Sequence, residues 1–210
     1  MATSELTLIA DEIRQCTLCQ LHRSRTNAVP GEGPADARIV LIGEGPGYHE
    51  DRQGRPFVGP SGQFLTELLV LAQIEREDVF LANVIKCRAP QNRDPTPDEI
   101  QTCASTYLFR QIELLNPEII VTLGRFSMAL YLPAAKISHV HGKPHRVGQR
   151  LIVPMLHPAA ALHQPNNRPL IEADFRQLGA ILTQLKNGIP VETNGIEPVE
   201  DPPVKQLRLL

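Results

Sequence analysis

Alternating strands and helices predict an α/β fold with a mostly parallel sheet and helices on both of its faces. Two observations lead to this class. Four short apolar runs rich in β-branched residues are typical of buried strands, and the segments between them carry apolar residues at helical spacing. The chain has 210 residues and is 42% hydrophobic, which is enough for one domain with a sizeable core.

The N-terminal half supplies two of the four predicted strands. Residues 4–15 predict a first helix, with Ser4 as its N-cap. Residues 38–42 form an almost uninterrupted apolar run and predict a central strand. A helix with apolar residues at helical spacing begins at Ser61, and residues 79–85 predict the second strand.

The C-terminal half begins with the clearest helix start in the chain. Thr96 can cap the helix, Pro97 suits the first helical position, and Glu99 completes a capping box. We expect this helix to continue to residue 115. The remaining predicted elements are two strands at 118–123 and 151–156 and two helices at 124–130 and 170–185.

The ends of the chain and its charge restrict its class. We expect one domain at 1–187 and a flexible Pro-rich tail at 188–210, because the tail is polar and has no apolar period. No signal peptide and no membrane-spanning run are apparent, so we expect a cytoplasmic protein. The formal charge of -2 argues against a protein that coats DNA indiscriminately, although it permits a local basic groove.

Four cysteines form a candidate metal centre. Cys16 and Cys19 have C-x-x-C spacing, and Cys87 and Cys103 can fold back on them. A reducing compartment argues against disulfides. Four thiolates suit either tetrahedral zinc or a [4Fe-4S] cluster, and the alternative is a redox C-x-x-C pair with two buried apolar cysteines.

Polar and aromatic residues follow the predicted strands at the edge where open α/β sheets bind their ligands. The glycine-rich loop 43–47 follows the first strand. Asn83 lies near the end of the second strand, and its amide can read a planar base or cap a turn. His157 ends the last strand, where it can donate to an oxyanion or satisfy the backbone. Phe57 can stack on a base or anchor its loop.

Basic residues are concentrated in the predicted loops rather than on helices. If these loops meet on one face, they form a basic groove on a nearly neutral protein; otherwise they are ordinary solubilising charges. Among them, Arg55, Lys86 and Arg88 are our candidates for contacts with DNA. The full set is Arg52, Arg55, Lys86, Arg88, Arg93, Lys143, His145 and Arg146.

Three ordered motifs and the cysteine quartet resemble one family. The motifs are G-E-G-P-G-Y-H-E-D-R-Q-G-R-P-F-V-G-P-S-G at 43–62, N-V-I-K-C-R-A-P-Q-N-R at 83–93 and L-H-P-A-A at 156–160. Together they closely resemble the family 4 uracil-DNA glycosylases, the iron–sulfur members of the uracil-DNA glycosylase superfamily. The resemblance covers about residues 13–185.

The resemblance implies a three-layer α/β/α sandwich with a short, mostly parallel, four-stranded sheet. It implies excision of uracil from single- or double-stranded DNA in base excision repair, and we expect a monomer. It also implies a structural [4Fe-4S] cluster on Cys16, Cys19, Cys87 and Cys103.

The resemblance assigns roles to five residues of the predicted edge. Glu44 and Gly45 belong to the first uracil-binding motif, Phe57 stacks on uracil, Asn83 reads its edge, and His157 contacts a uracil oxygen. We therefore expect His157, Asn83 and Glu44 to be catalytic.

Two further features follow from the resemblance. Leu162 lies in a segment similar to the loop that enters the duplex, so it is our candidate wedge. The best-known uracil glycosylases carry a water-positioning aspartate at the place that corresponds to Gly45, so we expect Glu44 or Asn83 to orient the water here.

Two other functions remain open from the sequence. One is a non-catalytic or covalent uracil-DNA-binding protein of the same superfamily. The other is a zinc-bound phosphoesterase that uses the loop at Gly45 as a phosphate cradle.

Overall fold

The computed structural model describes residues 2–193, and the remainder of the predicted C-terminal tail lies outside that range. These residues contain five strands, β1 Ile39–Gly43, β2 Val79–Asn83, β3 Ile119–Leu123, β4 His145–Val147 and β5 Arg150–Met155. The α-helices in the described range are α1 Ala2–Gln15, α2 Tyr48–Gln53, α3 Pro60–Leu71, α4 Pro97–Cys103, α5 Phe109–Leu115, α6 Arg125–Ala129, α7 Ile137–Val140, α8 Ala159–His163 and α9 Arg168–Lys186. Short 3-10 turns occur at Gln20–Arg23, Arg76–Asp78, Pro90–Asn92 and Pro165–Asn167.

The central sheet has the strand order β2-β1-β3-β5-β4. The first four strands in that order are parallel, which confirms the predicted α/β class. The expected count of four strands was wrong, because β4 adds an antiparallel edge to β5. This strand is only three residues long, and its alternation of buried His145 and Val147 around exposed Arg146 was too brief to recognise.

Strand β1 lies between β2 and β3, so the chain leaves β1 toward one side of the sheet and later returns to the other. Such a reversal opens a crevice at the carboxyl ends of the strands. Gly43 and Asn83 are the last residues of β1 and β2, and they are paired in register. The loops after β1, β2 and β5 therefore meet at one edge of the sheet.

Two apolar clusters cover the two faces of the sheet and establish the three-layer sandwich. One contains Val40 and Ile42 of β1 together with residues of α1, α4 and α5. The other contains the intervening Leu41 together with residues of α3 and α9. Neighbouring side chains of β1 thus point to opposite faces, and both faces are buried, as the continuous apolar run indicated.

The predicted capping box of the long helix is confirmed. The N–H of Glu99 donates to the hydroxyl of Thr96, and the carboxylate of Glu99 accepts from the N–H of Thr96. The helix continues to Leu115 through a π-helical segment, Ala104–Leu108, which begins directly after Cys103. At the N-terminus, α1 begins at Ala2, so Ser4 lies inside the helix and is not its N-cap.

The start of the predicted tail contacts the domain. Val191 is partly buried and packs against the apolar cluster under α9. The segment after α9 therefore lies along the domain at least to residue 193. Within the described range, none of the helices has the length and hydropathy needed to span a membrane.

Candidate functional site

A cavity of about 470 Å³ lies at the carboxyl edge of the sheet. It brings together the five residues predicted from the strand ends, Glu44, Gly45, Phe57, Asn83 and His157. Residues 44–47 form one wall, and the start of α8 forms another. The remaining lining residues are Glu50, Ser61, Ile85, Ala89, Asn92, Arg93, Asp94, Ala159 and His163.

Asn83 places a buried amide against the floor of the cavity. Its residue is 3% exposed, and none of the described residues hydrogen-bonds to its side chain. Buried amides are ordinarily paired, so this one has donor and acceptor capacity left for a ligand. A Cβ on Gly43 would lie 2.4 Å from Asn83 Oδ1, so the glycine creates the space that the amide occupies.

Phe57 is held rigidly beside the amide. Its φ of 52° lies in the left-handed region, which a phenylalanine rarely adopts. The carbonyl of Phe57 accepts a hydrogen bond from Arg76 Nη2, and Gly62 at the start of α3 approaches that carbonyl too closely for any Cβ. The strained backbone thus fixes the aromatic ring at the cavity wall, where it can stack on a planar ligand.

His157 faces Phe57 across the cavity. The two rings are nearly parallel, with 27° between their planes and 6.2 Å between centroids. Desolvation in the cavity lowers the pKa of His157 to about 4, although the charge of Glu50 opposes this. The ring is therefore neutral at pH 7. Because Nδ1 accepts the N–H of Ala159 at 3.1 Å, the proton lies on Nε2, which is a donor.

Glu50 is a structural organiser of the site that the sequence analysis missed. Its carboxylate is buried and accepts three backbone N–H bonds, from Gly47 at 3.1 Å, Val58 at 2.9 Å and Gly59 at 2.8 Å. These bonds join the loop after β1 to the loop that carries Phe57. A usable signal was present, because a glutamate three residues after a glycine N-cap is the second half of a capping box.

Glu44 is a half-buried carboxylate on the cavity wall. Its pKa is raised mainly by desolvation and further by the negative charge of Asp94, and Arg125 partly opposes this. Asp94 itself forms an ion pair with Arg125, which fastens the loop after β2 to α6. Asp94, Ser61 and His163 also line the cavity and were not predicted, because no pattern in the sequence places them there.

Gly45 has no room for a side chain. A Cβ at Gly45 would lie 2.6 Å from Cγ1 of Ile85. The side chain of Ile85, in the loop after β2, therefore fills the volume in which an acidic side chain at position 45 would begin. The glycine at this position thus has a steric reason.

The candidates for DNA contacts have different surroundings. Lys86 is only 1% exposed, and its ammonium donates to Gln111 Oε1 at 2.7 Å inside the protein, which argues against a contact with DNA. Arg55 is exposed but forms a two-bond ion pair with Glu32 away from the cavity. Arg88 and Leu162 are at the cavity rim, and Leu162 is 51% exposed on α8. The roles of Arg55, Arg88 and Leu162 stay predictions.

The four cysteines are gathered on the same side of the sheet. Cys87 and Cys103 are buried in the apolar cluster under α1, and Cys16 and Cys19 pack against that cluster. The cysteines are close enough to interact electrostatically. Burial is the main cause of the raised pKa of the Cys87 thiol, and the nearby Cys19 and Cys16 raise it further.

Hydrogen-bond donors point at three of the four sulfurs. Arg25 Nη1 lies 3.0 Å from Cys87 Sγ, the N–H of Lys86 lies 3.3 Å from Cys103 Sγ, and the N–H of Leu18 lies 3.5 Å from Cys16 Sγ. Such donors stabilise thiolates rather than thiols. Within residues 2–193, no three potential ligands approach closely enough to hold a single metal ion. A multi-iron cluster spaces its thiolates more widely, because each thiolate binds a different iron.

Comparisons with known proteins identify the superfamily to which this chain is similar. Residues 30–179 match the model of the Uracil DNA glycosylase superfamily. The chain is 44% identical to a type-4 uracil-DNA glycosylase of Archaeoglobus fulgidus over 182 residues, which cover 82% of this chain and 91% of the relative. It is 47% identical to one from Saccharolobus solfataricus, covering 85% and 87% of the two chains. A type-4 enzyme of Thermotoga maritima is 45% identical, covering 76% and 84%.

Proposed function

The chain belongs to the uracil-DNA glycosylase superfamily, and from that premise we propose that it excises uracil from DNA. The reaction hydrolyses the N-glycosidic bond and leaves an abasic site, as the first step of base excision repair. The observation that carries the proposal is the cavity in which Phe57, Asn83 and His157 converge. We expect the enzyme to work as a cytoplasmic monomer.

Recognition begins with extrusion of the base from the stack, since the glycosidic bond cannot be attacked inside a duplex. We assign Phe57 to stacking on the extruded ring. Asn83 donates to the 4-oxygen of uracil and accepts from N3–H. Cytosine presents the reverse pattern on that edge, so it leaves the buried amide unsatisfied and is rejected.

Bond cleavage requires stabilisation of the departing uracil anion. We assign this role to the Nε2–H of His157, assisted by backbone N–H groups of the loop at Gly45. A neutral imidazole suits the task because it keeps a donor at Nε2 and its protonation state does not change near pH 7. Glu50 does not contact the base in this scheme; it holds the two loops in position.

Hydrolysis also requires a positioned water, and we assign Glu44 to orient it. Gly45 has no side chain for this role, and Asn83 is occupied by the base. The carboxylate of Glu44 lines the cavity, and it can accept a hydrogen bond from water while it is ionised.

We further propose that Cys16, Cys19, Cys87 and Cys103 hold a [4Fe-4S] cluster with a structural role. The position of all four cysteines at one apolar cluster and the donors to three of their sulfurs support this proposal. Ligation would tie the segment after α1 to the loop that carries Arg88. Iron analysis and a broad visible absorption band test the proposal, and a colourless, zinc-loaded protein would contradict it.

Product analysis tests the proposed function. A duplex with one uracil is incubated with the protein, and free uracil and alkali-sensitive abasic sites are measured. We expect both products from this duplex and neither from the same duplex with thymine in place of uracil. Tight binding without release would instead favour the non-catalytic uracil-DNA-binding protein.

A further inference from the structure

We propose that Tyr48 and Arg88 form a second nucleotide site at the rim of the cavity. In this site Tyr48 stacks on the base next to the extruded uracil, and Arg88 binds a phosphate of the same strand. The inference rests on the proposed function for the identity of the extruded base. It concerns residues outside the cavity lining and is tested by binding as well as by turnover.

Tyr48 is an aromatic ring without a structural role in the core. It is the first residue of α2, directly after Gly47 of the cavity wall, and it is 55% exposed. The other two tyrosines of the chain, Tyr107 and Tyr131, are only 5% and 2% exposed. An exposed ring beside a base-binding cavity is the kind of surface on which single-stranded bases stack.

Arg88 is held against that ring. Its Cζ lies 5.3 Å from the centroid of Tyr48, and its Nε donates to Asn92 Oδ1 at 2.8 Å. Asn92 lines the cavity, so this bond anchors the guanidinium at the rim. Although Arg88 lies over the ring, more than half of Tyr48 remains exposed and available to a base.

The terminal amino groups of Arg88 have no hydrogen-bond or ion-pair partner among residues 2–193. The two other arginines near the cavity mouth are both neutralised, Arg93 by Glu99 and Arg125 by Asp94. Arg88 thus keeps a full charge and a free pair of donors, which match a phosphate group.

Base extrusion makes such a site useful. When uracil leaves the stack, its neighbour loses a stacking partner, and the backbone must pass over the cavity rim. Tyr48 replaces the lost stacking and Arg88 holds the backbone on the same rim. Both interactions tolerate any sequence, because every base has a π-face and every nucleotide has a phosphate.

Tyrosine fluorescence gives a direct test. The chain contains no tryptophan, and Tyr48 is the exposed tyrosine, so its emission can be followed in the full protein. The probe is a single-stranded oligonucleotide with one 2′-fluoro-deoxyuridine, which resists cleavage. We expect binding to quench the emission in the wild type but not in Tyr48→Phe, with similar affinity. Equal quenching in both proteins would overturn the stacking contact.

Binding measurements with altered probes locate the contact. We expect Tyr48→Ala to weaken binding about tenfold, whereas Tyr48→Phe retains it. Two further probes carry an abasic spacer next to the uracil, one on its 5′ side and one on its 3′ side. We expect one of them to bind the wild type about tenfold more weakly than the intact probe does, and to bind Tyr48→Ala as well as the intact probe does. The proposal would be overturned if both spacers weakened binding to Tyr48→Ala as much as to the wild type, or if Tyr48→Ala bound the intact probe as the wild type does.

Arg88→Gln completes the test together with matched controls. We expect it to reduce the slope of log affinity against log salt by about one, which is the loss of one phosphate contact. Arg38→Gln, at the opposite edge of the sheet, and Val70→Ala, an exposed apolar residue of α3, should bind as the wild type does. An unchanged slope in Arg88→Gln would overturn the phosphate contact. A wild type that binds without releasing uracil would refute the glycosylase, while these readouts would still decide the rim site.

Discussion

The backbone N–H of Ala159 donates a hydrogen bond to Nδ1 of His157 over 3.1 Å. This single contact fixes the tautomer of a ring that is neutral at pH 7, because desolvation lowers its pKa to about 4. The remaining ring nitrogen, Nε2, therefore carries a proton at the cavity. Position, charge state and tautomer together support our proposal that His157 is a donor to the uracil anion rather than a general acid.

Replacing this donor should slow the chemical step without unfolding the protein. We expect His157→Ala to lower the single-turnover rate by about 10²- to 10³-fold, which is typical for loss of one donor to a developing anion. His139→Ala, at an exposed position of α7, is the control and should react normally. Single-turnover uracil release measures the effect, and a wild-type rate in His157→Ala would exclude the histidine from the site.

The acid limb of the rate profile should report Glu44. Burial raises the pKa of Glu44 above 4.5, the ordinary pKa of a glutamate. We therefore expect the rate to begin falling at a pH above 4.5, as Glu44 becomes protonated. Asp94→Asn removes a negative charge that adds to this increase, and it frees the opposing Arg125, so the limb should move to lower pH. Asp36→Asn, at an exposed position, is the control. A limb that does not move in Asp94→Asn would contradict the assignment of Glu44.

Asn83 should set the choice between uracil and cytosine. Asn83→Asp removes the donor to the 4-oxygen of uracil and supplies an acceptor for the amino group of cytosine. We expect uracil release to fall by at least about 100-fold and cytosine release to become detectable. Oligonucleotides that differ only in the target base measure both. Retention of full uracil activity would show that the base is read elsewhere.

Glu50 should act on the shape of the site rather than on the chemistry. Glu50→Gln replaces one acceptor oxygen by a donor that faces a backbone N–H. We expect a loss of about 1–3 kcal/mol in the free energy of unfolding, and weaker binding of uracil-DNA. Denaturant unfolding measures the first quantity. Glu113→Gln, at an exposed position of α5, should be neutral, and equal stability of the two variants would contradict the role of Glu50.

Much of the site could be predicted because it lies at strand ends. Glu44, Asn83 and His157 follow apolar runs that are recognisable from composition alone, and parallel strands bring their carboxyl ends to one edge. The fold class and the capping box at Thr96 could also be predicted, because both depend on local sequence patterns, and both predictions were confirmed.

The remaining features depend on burial and tertiary contacts, which local patterns do not encode. Lys86 looked like a loop cation, yet its ammonium is buried against Gln111, a residue 25 positions away. Glu50 looked like an ordinary helical acid, although it joins two loops. Strand β4 depends on pairing with β5, because three residues hardly establish a period.

The most direct test of the central claim compares uracil release by the wild type with release by a variant that fills the floor of the cavity. A Cβ at Gly43 would lie 2.4 Å from Asn83 Oδ1 and 2.7 Å from Phe57 Cζ, so Gly43→Ala should displace both residues that we propose hold the base. We predict single-turnover release of uracil by the wild type and by Arg38→Gln, and release at least about 100-fold slower by folded Gly43→Ala. No release by the wild type, or equal rates for all three proteins, would contradict the account.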